Sequence, residues 1–326
     1  MGLLIFIATI ALCLVVSSAW NFQHNPSTKP DGSVSFLVIG DWGRNGAHNQ
    51  KKVANQMGII AKKLDINFVI STGDNFYEKG LRGIRDPAFG ESFIKIYTAP
   101  GLQKQWYNAL GEHDYRGDVE AQVSPNLPRH DMRWICRRYY MSLQEVAEFF
   151  FIDTTPFVNE YFKEPAGINY NWTGILPRAK YLDNLIEDLD LALKESRAKW
   201  KFVVGHHPIK NAGKNGVTKE LQEVLLPILE KHKVDVYMNG HDHSLHHISS
   251  KIEFLTSGGG SMALKGIVPK WDPKELKFFH SGEGFMSVEI TKNKGCLTSC
   301  FGPNTKLEIA FYDVDGKVLY KWNKSK

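Results

Sequence analysis

Five apolar runs, each closing on a glycine-containing polar cluster, constrain this chain more than any other feature in it. They read SFLVIGDWG (35–43), NFVISTGDNFY (67–77), KFVVGHHP (201–208), VDVYMNGHDH (234–243) and EFLTSGGG (253–260). Short runs rich in Val, Ile and Phe that stop at turn residues are the pattern of buried strands whose ends carry loops. Between them, residues 49–63 and 181–199 carry helical spacing, the second through Leu182, Leu185, Ile186, Leu189 and Leu193. Residues 309–314 and 317–322 flank Asp315-Gly316, which predicts a hairpin with a two-residue turn. The expectation is one α/β domain built on a mixed sheet or a sandwich, with its working loops at the carboxyl ends of strands.

Composition bounds the function. In 326 residues, 43% hydrophobic and 23% charged content describes an ordinary globular chain, not a fibrous or disordered one. The formal charge of +5 comes without a basic block, which argues against a nucleic-acid partner and is compatible with small anionic substrates. Residues 3–16 form an apolar run followed by Ser17-Ser18-Ala19, read as a signal peptide over residues 1–19 that leaves residues 20–326 as a single catalytic domain with no membrane attachment. The n-region lacks Lys and Arg, and the rival uncleaved anchor is short for a span. Secretion, to the cell wall or extracellular space or to a vacuole, would leave Cys136, Cys296 and Cys300, an odd number, so that one thiol stays free or pairs between chains. Asn171 and Asn323 open glycosylation sequons.

The strand ends carry the chemistry. Asp41 follows one run, Asp74 and Tyr77 the next, Glu112 and His113 a third segment, His206 and His207 a fourth, and His241 and His243 a fifth. A lone Asp there caps a turn and a lone His packs, but five strand ends so equipped are a ligand set. Carboxylates suit hard cations and imidazoles borderline ones, so a set this size holds two ions if one carboxylate bridges. Such a pair clamps the attacking and leaving oxygens of phosphoryl transfer.

GDWG, GDNFY, a G-x-H-D element, VVGHH and GHDH stand in the order and spacing of the metallophosphoesterases, and Tyr77 places the chain with the purple acid phosphatases. TGDNFY, FLTSGGGS and GFMSVEI are similar to the small secreted plant type. The resemblance covers roughly residues 33–322. It implies a β-sandwich of mixed sheets flanked by helices, with a dinuclear site at the carboxyl ends of strands. It implies further that Asp41, Asp74, Tyr77 and His243 hold Fe(III), and that Asp74 bridges to a divalent Zn, Mn or Fe held also by Glu112, His206 and His241. A hydroxide on the metals would hydrolyse small phosphate monoesters at acid pH, with His113 and His207 as catalytic imidazoles, in a monomer or homodimer.

Two departures from the family bear on catalysis. Glu112 stands where the family carries Asn, lowering the charge of the cluster by one unit and lengthening the side chain by a carbon. Lys214 and Asn215 stand where the family usually carries one or two histidines that bind phosphate or protonate the leaving group. These leave open a degenerate member, weakly active or merely binding metal or phosphate. A nuclease or phosphodiesterase is the weaker alternative, disfavoured by Tyr77 and the modest basicity. Residues 294–304 lengthen a connection that is short in the family, as a disulfide-closed loop or a gene-model artefact, and lie away from the metal motifs.

Overall fold

The computed structural model describes residues 28–137, 140–143, 146–163, 167–292 and 305–326. The signal-peptide segment, Cys296, Cys300 and the whole of the 294–304 insertion lie outside them. Among the described residues, fourteen strands form two seven-stranded sheets. In chain order they are β1 (Val34–Ile39), β2 (Phe68–Ser71), β3 (Gln105–Asn108), β4 (Trp134–Cys136), β5 (Tyr140–Leu143), β6 (Ala147–Phe151), β7 (Trp200–Val204), β8 (Val236–Asn239), β9 (Leu245–Ser249), β10 (Glu253–Ser257), β11 (Leu276–His280), β12 (Gly284–Lys292), β13 (Thr305–Asp313) and β14 (Val318–Ser325). The first sheet runs β14-β13-β12-β1-β2-β3-β4 and the second β11-β9-β10-β8-β7-β6-β5.

The first sheet is antiparallel from β14 to β1 and parallel from β1 to its edge at β4, whereas the second is parallel in its middle and antiparallel at both margins. The pairs β1–β2, β2–β3 and β3–β4 are parallel, as are β6–β7, β7–β8 and β8–β10. Parallel strands send their carboxyl ends to one edge, so the loops after β1, β2 and β3 and those after β7 and β8 are free to meet across the sandwich. All five apolar runs of the sequence are strands, as expected, and all are buried.

The sheets are joined by a dry aromatic layer. Phe36 stacks on Phe68 within the first sheet (4.8 Å between centroids) and meets Phe149 and Phe202 of the second edge-on, at 5.2 and 6.2 Å. Offset and edge-to-face pairs of this kind add to the burial of the rings themselves. The helices Gln50–Leu64 and Arg178–Glu195 cover the outer faces, the first through Val53, Met57, Ile60 and Ala61 and the second through Leu185, Leu189 and Leu193. The second helix begins three residues before the sequence-predicted start and ends four before the predicted end; Pro177 at its N-cap sets the start. The terminal hairpin is present, but its loop is longer than the two residues expected, because Asp313 Oδ1 accepts from the N–H groups of Asp315 and Lys317 and holds a wider turn. Among the described residues no helix is long and apolar enough to cross a membrane.

Candidate metal centre

The glycines before the candidate ligands are required by close approach. A Cβ on Gly111 would lie 2.3 Å from Asp74 Oδ1, and one on Gly240 would lie 2.4 Å from Asp41 Oδ2, so neither position admits a side chain. The backbone is also held in a costly region: Asp41, Asp74 and His241 have φ of 60°, 50° and 67°. Left-handed conformations cost a non-glycine residue about 1 kcal/mol each, and their clustering at a few strand ends is typical of a site rather than of a scaffold.

This backbone presents one oxygen of each carboxylate to the interior. Asp41 Oδ2 accepts the His241 N–H at 3.0 Å, leaving Oδ1 facing inward, and Asp74 Oδ1 accepts the His113 N–H at 2.8 Å, leaving Oδ2. The imidazoles are aimed in the same way. His206 Nδ1 donates to the Thr72 carbonyl (2.8 Å) and His243 Nδ1 to the Met262 carbonyl (3.0 Å), so in both rings Nε2 points into the site.

Two groups of ligand atoms result, sharing one oxygen. The Tyr77 hydroxyl lies 3.0 Å from Asp41 Oδ1, 3.0 Å from Asp74 Oδ2 and 3.1 Å from His243 Nε2, while His243 Nε2 is 3.5 Å from Asp41 Oδ1. On the other side of Asp74 Oδ2, His206 Nε2 is 3.5 Å from that oxygen and 2.9 Å from Glu112 Oε2, and His241 Nδ1 is 3.1 Å from Glu112 Oε1. Donors bound at about 2.1 Å to one ion in octahedral array stand about 3 Å apart, which is the spacing seen in both groups. Although it is close to Glu112, the buried Nε2 of His206 makes no aligned hydrogen bond. A buried donor or acceptor left so is costly, and a cation at the centre of the group would satisfy it.

The electrostatics make the same demand. Burial raises the Asp74 carboxyl, and the nearby Glu112 carboxylate raises it further. Burial, then Asp41 and Asp74, push the Tyr77 phenol well above its ordinary value. Burial opposes ionisation of Glu112 as well, but the imidazoles of His241 and His206 outweigh it and hold this carboxyl well below the usual range. Reciprocally, burial disfavours charge on His206, yet Asp74 and Glu112 prevail and raise it well above the usual histidine. Protons on these imidazoles stand in for missing positive charge, and metal ions would displace them.

His207 and His113 sit at the edges of this arrangement. His207 Nε2 is 3.4 Å from Glu112 Oε2, and its ring is held by Thr154 Oγ1 and the Tyr161 hydroxyl, both at 3.0 Å. Burial, then His241, hold it well below the usual value, as a neutral ring. His113 packs on Tyr77 at 4.3 Å and donates Nδ1–H to the Glu78 carbonyl (2.8 Å), with Nε2 3.9 Å from Asp74 Oδ2. Lys214 and Asn215 are exposed, and the Asn215 amide donates to the His241 carbonyl at 2.8 Å. His246 and His247 are buried in hydrogen bonds and stand apart from the cluster.

Other residues of the site carry little or no sequence signal. Thr154 Oγ1 accepts the N–H groups of both His206 and His207 (3.1 and 3.0 Å). The Arg44 guanidinium lies 3.6 Å over the Tyr77 ring and pairs with Glu78. Asp114 is fully buried and gathers the N–H groups of Gly111, Asn75 and Phe76 together with the Gln122 amide. Of these, only Asp114 was visible as part of a motif. Of the sequons, Asn171 is half-buried and donates its N–H to the Tyr115 carbonyl (2.7 Å), while Asn323 is exposed on β14.

The calcineurin-like phosphoesterase family model matches residues 34–245. "Purple acid phosphatase 7" of Arabidopsis thaliana is 54% identical over 99% of this chain and 96% of its own length. The chain belongs to the purple acid phosphatases. A more distant relative, "Tartrate-resistant acid phosphatase type 5" of Sus scrofa, is 28% identical over 94% of this chain and 92% of that protein. Among solved structures, that of "GAP50 the anchor in the inner membrane complex of Plasmodium" shares the fold, with a TM-score of 0.71 over 89% of this chain and 88% of that one at 24% identity. The mixed two-sheet sandwich with flanking helices is thus the purple acid phosphatase fold, and its clustered His, Asp and Glu side chains are compatible with a dinuclear metal site.

The loop carrying Glu112 depends on Asp114. Asp114→Ala would leave buried donors of Gly111, Asn75 and Phe76 unpaired and is expected to cost about 2–4 kcal/mol in denaturant unfolding. A cost below about 1 kcal/mol would show that the loop finds other acceptors.

Proposed function

We propose that the chain is a secreted acid phosphatase that hydrolyses phosphate monoesters at a ferric–divalent centre. The observation that carries this reading is the pair of ligand groups meeting at Asp74 Oδ2. Asp41, Asp74, Tyr77 and His243 would hold Fe(III); Asp74, Glu112, His206 and His241 would hold zinc, manganese or iron. Ions bound there supply Lewis acidity toward phosphoryl oxygens and a nucleophilic water at low pH. The protein's own part is to fix the geometry. Thr72 and Met262 lock the ring orientations of His206 and His243, and the backbone N–H groups of His241 and His113 lock the carboxylates. His113, held at Nδ1 by the Glu78 carbonyl, keeps Nε2 at the open side of Asp74, where it can hold a proton for the departing oxygen. His207 is wedged between Thr154 and Tyr161 and supports the loop and the Glu112 carboxylate from behind.

The degenerate reading rests on Glu112 and on Lys214 and Asn215; the geometry at Glu112 does not favour it, because the carboxylate lies within reach of His206 and His241 as a ligand would. We place residues 20–326 in one catalytic unit released by cleavage after Ala19. The apolar run of residues 3–16 supports the secretory route.

The direct test is to purify the protein after expression with iron and to measure colour and phosphatase activity together. Broad visible absorption from a ferric phenolate and acid activity on p-nitrophenyl phosphate are expected, with Tyr77→Phe losing the absorption. A colourless, iron-free and inactive protein would refute the assignment. For Glu112, removal of its charge in Glu112→Asn is expected to raise kcat/KM by at least about tenfold and to tighten inhibition by phosphate, since one unit charge in a partly screened site is worth about 1.4 kcal/mol or more. Unchanged or lower kcat/KM would show that the site is adapted to glutamate.

A further inference from the structure

The face of the Tyr77 ring carries a charge that the ligand set does not account for. The central carbon of the Arg44 guanidinium lies 3.6 Å from the ring centroid, while His113 packs at 4.3 Å and His243 meets the ring edge-on at 5.9 Å. Arg44 follows directly on the Gly-Asp-Trp-Gly turn after β1. Its backbone is fixed by the buried Gln50, whose Oε1 accepts the N–H groups of Arg44 (3.0 Å) and Gly46 (2.7 Å) and whose Nε2 donates to the Ser92 carbonyl (2.8 Å). Gln50 thus shapes the loop, and the Arg44 side chain is left to serve the ring.

The guanidinium is kept from water for little return from its partners. Its side chain is 8% exposed, whereas that of Glu78, the carboxylate paired with it, is 60% exposed. The buried Nε makes no hydrogen bond. An ion pair with so exposed a partner contributes little, and burying a cation with an unused donor is costly. The burial becomes favourable when the ring beneath is negatively charged. A neutral aromatic face attracts a cation modestly through its quadrupole, whereas a phenolate attracts it as an opposite charge at the same distance. The phenol oxygen points the same way, because it stands among ligand atoms: Asp41 Oδ1 and Asp74 Oδ2 at 3.0 Å each and His243 Nε2 at 3.1 Å.

We propose that Arg44 is a positioning residue that serves as a built-in counter-cation for the Tyr77 phenolate, drawing electron density from the ferric ion and keeping that ion a stronger Lewis acid toward phosphoryl oxygens. This deepens the phosphatase reading and rests on its ferric–phenolate part. Arg44 acts through Tyr77 and not on the substrate. Glu78 sets how much of the charge the ring feels, because its carboxylate partly neutralises the guanidinium from the solvent side. Light absorbed by a ferric phenolate moves an electron from the ring to the ion. A cation over the ring opposes that movement and a nearby anion favours it, so removing the one and removing the other have opposite effects.

The test is the position of the visible band in the iron-loaded full chain. Arg44→Met, which keeps an unbranched packing stem without the charge, is expected to move the band to longer wavelength by about 10 nm or more, and Glu78→Gln to move it to shorter wavelength. A band unmoved in Arg44→Met, or moved the same way in both variants, would reduce Arg44 to a packing residue and overturns the proposal. Should Arg44→Met fail to fold, Arg44→Lys, whose compact ammonium cannot stack as the planar fork does, is expected to shift the band part of the way, and no shift overturns the proposal. Calorimetric binding of orthophosphate that weakens in the Arg44 variants while the band stays in place would make Arg44 a substrate contact, which overturns it as well. A colourless wild type refutes the ferric–phenolate reading and this inference with it, whereas a coloured wild type whose band the Arg44 variants leave unmoved refutes the inference alone.

Discussion

The site depends on one oxygen, Asp74 Oδ2, against which a phenol and two imidazoles converge within a buried cluster holding two further carboxylates. Burying groups that prefer to be charged is expensive unless opposite charge meets them, and among the described residues the positive charge at the cluster is that of protons on histidine and of Arg44 over the Tyr77 ring. The sandwich is arranged to enforce this meeting. The parallel parts of the two sheets aim their strand ends at one edge, glycines at 73, 111 and 240 let the loops close to contact, and strained backbone at Asp41, Asp74 and His241 sets the directions. Such strain persists only where the surrounding structure over-determines it, and here the aromatic layer around Phe36 and the cluster around Trp42 do so.

Much of this was legible in the sequence because strand ends punctuate themselves. The runs ending in Asp41, Asp74, His206 and His241 have a strand's composition followed by a glycine and a ligand residue, and all proved to be strands. The edges of the sheets were harder to see. β3 to β6, β9, β11 and β12 carry mixed or short patterns, and β9 places His246 and His247 in the interior, where composition alone suggests surface as readily as packing. The wider terminal turn escaped notice because Asp313, outside the two-residue signature, dictates it.

Within the site, the residues of metal-ligating type were legible and those that position them were not. Thr154, Arg44 and Tyr161 come from segments without periodicity or motif, and their roles arise from long-range contacts, such as the pairing of Thr154 with the loop of His206. Glu112 shows the converse. Its departure from the family pattern was plain, but whether the longer carboxylate could reach the imidazoles was a question of three-dimensional geometry, and it does reach them.

The central claim is that two ligand groups share Asp74. Metal analysis of the purified, iron- and zinc-supplied chain tests it most directly. The account predicts two ions per chain in the wild type, one lost selectively in His243→Ala, and both weakened in Asp74→Asn. A wild type that binds a single ion, or an Asp74→Asn variant that keeps two at undiminished affinity, would contradict the shared centre.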